Sequence, residues 1–395
     1  MTTISALSDD LVGEILSRVS FTSLRAVRST CKSWNALSKN HTVGKKAASK
    51  NQLLEFMIID SRVCFLRLDL QVICDEDEED YVDSSMKQIS IPNNHQVEIS
   101  QVHHCDGLLL CITKDNSSLM VWNPYLGQTK WIRPRNTFHR YDRFALGYDN
   151  NRNHKILRFL YDHERTITGR GSDIDVYDFS SDSWRVLDVN PDWDVQFYRS
   201  GLSLKGNSYF LGQEKVTTEE TKVITDIVNY LLCFDFTTES FGQRLPLPFN
   251  PPSPSFDTVG LSWVRDEKLA VLYSHYVTCE IAEIWISSTI EPNAVSWGTF
   301  LTVDMSLING LADDFSLHFP RKNFLIDEVK KVAVLFDDRE TETCRYQMAY
   351  IVGDNGYFKS VNIRVISNSQ PKPGKLVYCS KFSATARLVH YQLFF

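Results

Sequence analysis

No stretch of this 395-residue chain is apolar over the length of a membrane helix, so a spanning helix is not expected. Positive charge is also short. Lys and Arg number 42 against 49 Asp and Glu, a formal net charge of −7, which argues against nucleic acid or an anionic membrane as partner. The opening MTTISALSDD lacks the basic-then-apolar layout of a secretion signal. None of the nine cysteines forms a CxxC pair, and their scatter suggests reduced core thiols in a cytoplasmic or nuclear protein. Gly-rich phosphate loops, Gly-x-Ser-x-Gly elbows and His-Glu-x-x-His are missing too. A non-catalytic chain without cofactor or metal is expected. What is present is core material: 43% hydrophobic and 12% aromatic residues indicate ample globular packing.

Helical periodicity is confined to the start. Ser8 suits a helix N-cap, with Asp9 and Asp10 in the first turn, where negative charge favours the helix dipole. Leu11, Val12, Ile15, Leu16 and Val19 fall on one face at helical spacing. Ser20 to Ser23 interrupt the pattern, and Leu24, Val27, Cys31, Trp34 and Leu37 form a second stripe. A segment this small cannot bury so much apolar surface against itself, so a partner protein is expected to cover the rest.

The segment resembles an F-box. The carriers are Leu7-Ser8, Asp9, Leu11, Ile15-Leu16, Val19-Ser20, Arg25, Val27, Cys31-Lys32 and Trp34. Ser8 and Ser20 stand where the family places proline; a helix start accepts Ser as readily. The resemblance implies a small all-α three-helix unit over 1–48 that docks a Skp-type adaptor, and through it a cullin ligase. The adaptor-binding residues it implies are Leu7, Leu11, Ile15, Leu16, Val19, Leu24, Val27 and Trp34.

From Leu53 the period changes. LLEFMIID and VCFLRLDL have the character of strands, and short β-branched and aromatic runs between turn residues follow to the end. The acidic run Asp75 to Asp80 lacks the ligand alternation and central Gly of a calcium loop and is expected to be solvated. LPLPFNPPSPS, 245–255, is expected to connect blades. A repeat appears on aligning LMVWNPYLGQTKW, IDVYDFSSDSW, LLCFDFTTESF and the looser AEIWISS leading to Trp297. Each is an apolar strand, a polar turn and an aromatic opening the return strand. The anchors Trp122, Tyr177, Phe234 and Trp285 lie 55, 57 and 51 residues apart, near the kelch period of about 50 residues. Further hairpins between them complete four-stranded blades, the last strand, Leu376 to Phe382, closing the ring beside the first.

From about residue 100 the chain resembles the plant F-box-associated type-1 domain, a kelch-like propeller relative. The carriers are Cys105-Asp-Gly-Leu-Leu-Leu, Val121-Trp-Asn-Pro-Tyr-Leu-Gly-Gln, Ala145-Leu-Gly-Tyr-Asp, Lys155-Ile-Leu-Arg and Val176-Tyr-Asp-Phe-Ser-Ser-Asp-Ser-Trp-Arg. The double-Gly signatures of true kelch repeats are absent. The fold expected is mainly β: a kelch-like β-propeller over 49–395 preceded by the F-box. The function this implies is that of a substrate-recognition subunit of a Skp–cullin–F-box ubiquitin ligase, the propeller holding a target protein for degradation. The alternative is a glycan- or small-molecule-binding propeller with an accessory F-box, for which Trp193, Phe197 and Tyr198 would be candidate aromatics. His103-His104-Cys105 with Cys111 invites a zinc reading, but a closed site needs a further ligand pair, and a strand leading into the Asp106-Gly107 turn is favoured.

Overall fold

The computed structural model describes residues 52–70, 84–89, 91, 97–160 (except 125, 137 and 140), 173–189, 194–195, 201–217, 224–249, 258–305 (except 266 and 275–280), 324–340, 344–367 and 382–383. The F-box segment and the acidic run at 75–80 lie outside them. Within them the architecture is antiparallel β throughout, with a single 3-10 turn at Asp354–Gly356.

Strands fall into six sheets among the described residues. The first holds β1 (Gln52–Ile59), β2 (Arg62–Asp69) and β3 (Ser84–Gln88), and the second β4 (Ile99–Cys105), β5 (Leu108–Thr113), β6 (Leu119–Asn123) and β7 (Gln128–Ile132). The third is β8 (Arg143–Tyr148), β9 (His154–Phe159), β10 (Ile174–Asp178) and β11 (Ser183–Leu187). In the fourth, β12 (Asp194–Val195) and β13 (Leu202–Leu204) both pair with β14 (Asn207–Thr217), followed by β15 (Ile224–Asp235) and β16 (Ser240–Phe241). The fifth is β17 (Thr258–Val264), β18 (Lys268–Ser274), β19 (Ile281–Glu291) and β20 (Ala294–Asp304). The sixth is β21 (Phe324–Asp327), β22 (Val332–Glu340), β23 (Cys344–Gly353) and β24 (Phe358–Ser367).

The sheets follow one another around a ring. Contacts run from β1 to β4, β4 to β8, β8 to β13, β13 to β17, β17 to β21, and back from β24 to β3. Closure comes from β25 (Phe382–Ser383), which pairs with β1 through Phe56↔Phe382 and Glu55↔Ser383. The expected closing strand is thus found beside the first at Phe382, while 376–381 lie outside the described residues. The first sheet is therefore assembled from both ends of the propeller sequence.

The core sits where inner and middle strands meet. Leu108 through Ile112 on β5 are all buried, whereas outer β11 is largely exposed, as expected when only outermost strands face water. The anchors Trp122, Tyr177, Phe234 and Trp285 all lie on the third strand of their sheets. One detail of the repeat is corrected. Tyr177 faces Trp184 and Phe234 faces Phe241, but Trp122 faces Thr129, leaving Trp131 two positions further along and 43% exposed. The three loops are equal in length, 124–127, 179–182 and 236–239, so the return-strand register is set by the turn and not by the aromatic.

A buried ion network ties the connection after β7 to the third sheet. Arg158 donates from Nε and Nη2 to Asp142 Oδ2 at 3.0 and 2.6 Å, and Arg135 reaches Asp175 at 3.2 Å. The Arg158 guanidinium also lies 4.6 Å from the Phe138 ring.

Candidate functional site

Strand reversal divides the ring's two faces. In the second to sixth sheets, turns joining first to second and third to fourth strands share one face; second-to-third turns and sheet connections share the other. The short-turn face carries a cleft of about 640 Å³. Its walls are the β4–β5 turn (His104 to Asp106), the β8–β9 turn (Tyr148 to Arg152), the β13–β14 turn (Lys205, Gly206), Asp235 and Thr237 after β15, and Pro292 at the β19–β20 tip.

These walls are fixed by turn chemistry. Asp106-Gly107 and Lys205-Gly206 adopt left-handed conformations, φ 49 and 84°, 53 and 88°, the backbone that a two-residue hairpin turn demands. At Gly206 glycine is also required by proximity: an added Cβ would lie 2.6 Å from the Tyr148 ring and 2.8 Å from its carbonyl oxygen. The Tyr148 N–H in turn donates to the Gly206 carbonyl at 3.0 Å. The Asn150 N–H donates to Thr237 Oγ1 at 3.1 Å, and Lys155 Nζ to the Phe236 carbonyl and Glu239 Oε1 at 3.2 and 2.8 Å. Turns from neighbouring sheets are thereby locked together.

Charge in the cleft is mostly compensated. Arg152 donates to Asp106 Oδ2 at 3.0 Å and stacks on the Tyr148 ring at 4.3 Å. Burial raises the Asp106 carboxyl above its ordinary value, opposed by the Arg152 charge. Asp149 faces Lys155 at 3.5 Å, and Asp235 Oδ1 accepts from the Thr237 N–H at 2.7 Å. His104, 3% exposed, sits between the rings of Phe56 and Trp263 at 6.1 and 5.5 Å. Burial lowers its pKa to about 4, so it is neutral near pH 7.

Several sequence expectations meet the structure here. His103 and His104 are neighbours on β4 and so point to opposite faces, while Cys105 and Cys111 belong to different core clusters. Among the described residues no group of three His, Cys, Asp or Glu side chains converges as metal ligands would. Trp193, Phe197 and Tyr198 lie outside the described residues. Tyr148, in the cleft wall, has the Arg152 guanidinium over its ring. Tyr148 entered the sequence reading only within the Ala145-Leu-Gly-Tyr-Asp run and Lys205-Gly206 only as the turn of a hairpin over 201–211, neither as a site residue, and Arg152 did not enter it. The eight adaptor-binding candidates, Leu7 to Trp34, all fall outside the described residues.

A closed ring of antiparallel sheets defines a β-propeller, with a polar cleft over its short turns. Family comparison adds the rest. Residues 54–383 match the F-box associated beta propeller domain, and residues 4–46 match the F-box domain. The chain therefore belongs to the F-box proteins that carry an F-box-associated β-propeller. The match begins well before residue 100, so the first sheet is part of the propeller family pattern. Arabidopsis thaliana relatives include F-box protein At3g49510, 74% identical over 97% of this chain and 98% of its own length. F-box protein At1g54550 is 58% identical over 98% and 99%, and F-box/kelch-repeat protein At3g13680 is 54% identical over 93% and 90%.

Proposed function

We propose that the chain is the substrate-recognition subunit of a Skp–cullin–F-box ubiquitin ligase. One observation carries this reading: an F-box match at 4–46 stands directly ahead of a propeller match at 54–383 in a single chain. Leu7, Leu11, Ile15, Leu16, Val19, Leu24, Val27 and Trp34 bind the adaptor, and the propeller holds a target protein. The target is ubiquitinated by a separate conjugating enzyme and sent for degradation. The work is done in the cytoplasm or nucleus, without nucleic acid, membrane or cofactor.

The chain acts by proximity, raising the local concentration of target lysines beside a loaded conjugating enzyme. A thiol that carried ubiquitin itself would need an accessible, low-pKa sulfur. Cys64, Cys105, Cys111 and Cys233 are buried. Burial pushes the Cys111 thiol far up and Cys233 to about 12. The test is reconstituted ubiquitination with Cys31, Cys64, Cys111, Cys233, Cys279 and Cys344 changed to Ser or Ala in a folded chain. Transfer should persist; its loss while adaptor and target remain bound would place a thiol of this chain in the chemistry.

A further inference from the structure

The point where the chain enters the ring limits where its F-box can stand. β25 takes the innermost place in the first sheet, so β1 is the second strand there, as β5 and β9 are in theirs. Second strands leave the short-turn face and run to the opposite, long-turn face. Two contacts with neighbouring sheets show that β1 does the same. At its far end the Ser61 carbonyl accepts from the Ile99 N–H at 2.8 Å, and Ile99 opens β4 on the long-turn face. At its beginning Gln52 pairs with Asp69, and the carbonyl of the next residue, Leu70, accepts from Lys330 Nζ at 2.6 Å. Lys330 belongs to the β21–β22 turn, on the short-turn face. Gln52 therefore starts the propeller from the short-turn side.

Reach does the rest. The F-box match ends at residue 46, six residues before Gln52, a distance that even an extended chain spans in only about 20 Å. β1 itself is eight residues long, about 23 Å of strand at roughly 3.3 Å per residue. The C-terminal end of the F-box cannot get past the far end of β1, so it stays on the side from which the chain enters. The long-turn face also carries the one ladder that leaves the body of its sheet. β14 and β15 stay paired beyond Gln213 and Asn229 to Thr217 and Ile224, with no third strand beside them among the described residues.

We infer that the F-box and the adaptor it binds stand on the short-turn side of the ring, by the first sheet, and that the adaptor leaves the long-turn face uncovered. This rests on the reading of the F-box as the adaptor-docking unit. The short-turn cleft then lies on the adaptor's side, and the long-turn face with its projecting β14–β15 ladder is the one open to a target.

The test is energy transfer within the complex of the full chain and purified Skp-type adaptor. The adaptor carries acceptor dye sparsely on its surface amines, and the chain carries one donor on an azide-bearing residue at a single exposed position. Val329 and Asn150 sample the short-turn face, Ser117 and Asp173 the long-turn face; all four are exposed. Val329 and Ser117 each lie one sheet from the first, and Asn150 and Asp173 both lie on the third, so each pair differs chiefly in face. Urea midpoints verify folding, and should one labelled protein fail to fold, the other pair carries the comparison. Transfer should be higher from Val329 than from Ser117, and higher from Asn150 than from Asp173. Equal transfer from the two faces, or higher transfer from the long-turn labels, with adaptor bound, would overturn this inference and leave the receptor reading intact. A folded chain that binds no adaptor would overturn both.

Discussion

Buried histidines set how this propeller answers acid. Burial lowers His103 to about 3 and His104 and His154 to about 4, from 6.5. For His154 the nearby Arg152 charge adds to the lowering and Asp149 opposes it. Each ring binds a proton in the unfolded chain at a pH where the folded chain refuses it. The stability they contribute is fully present above pH 6.5 and is lost as pH falls from there toward 4, at about 1.4 kcal/mol per unit for each ring. Buried Asp106 and Asp175 shift upward from 3.8 and act in the opposite sense, their contribution being present below that value and lost as pH rises through their raised ones. Urea midpoints should therefore drop steadily between pH 6.5 and 4; a flat profile would mean the rings are not buried as described. At this scale the sequence was partly legible. The Asp106-Gly107 turn followed from residue types alone, whereas the Arg158–Asp142 pair and the Arg135–Asp175 pair join residues 16 and 40 apart, a proximity that only packing creates.

Among elements, the third-to-fourth-strand hairpin is the unit that repeats. Asn123 Oδ1 accepts from the Leu126 N–H at 2.9 Å, Asp178 Oδ1 from Ser180 at 2.8 Å, and Asp235 Oδ1 from Thr237 at 2.7 Å. Each loop ends on a left-handed residue: Gly127, Asp182 or Glu239. These side-chain turns are why the Trp-Asn-Pro motif and its relatives were readable as hairpins. The return-strand tryptophans have a further use. The Trp184 indole N–H donates to the Arg133 carbonyl at 2.8 Å, and Trp297 to the Pro246 carbonyl at 2.9 Å. In both cases the acceptor lies 51 residues earlier, in the stretch that follows the preceding sheet's outer strand. Trp184→Phe and Trp297→Phe keep the ring and remove this bond, so each should cost about 1 kcal/mol, seen as a lower urea midpoint with unchanged slope. Loss of well under half that value in both would mean the bonds do not tie adjacent sheets. Trp131 was grouped with these residues by sequence because it too follows a turn. It differs because the paired position opposite Trp122 is Thr129, which periodicity without register does not reveal.

At the scale of the whole molecule, the spacing of Trp122, Tyr177, Phe234 and Trp285 was enough to expect a ring of four-stranded sheets. The weakly patterned first sheet was not placed with the repeats, because its strands are contributed by distant parts of the chain, β1 to β3 and β25. The cleft was invisible for the same reason: its walls come from turns of four successive sheets. What such a ring does depends on the F-box ahead of it. Titration of the full chain with purified Skp-type adaptor therefore bears most directly on the account, comparing wild type with Ile15→Ala/Leu16→Ala and using the urea midpoint to verify an intact propeller. Wild type should bind, and the double variant should bind on the order of thirtyfold more weakly, the loss expected when a buried apolar anchor worth about 2 kcal/mol is truncated. Equal affinity in the two proteins, or no binding by the wild type, would contradict the account.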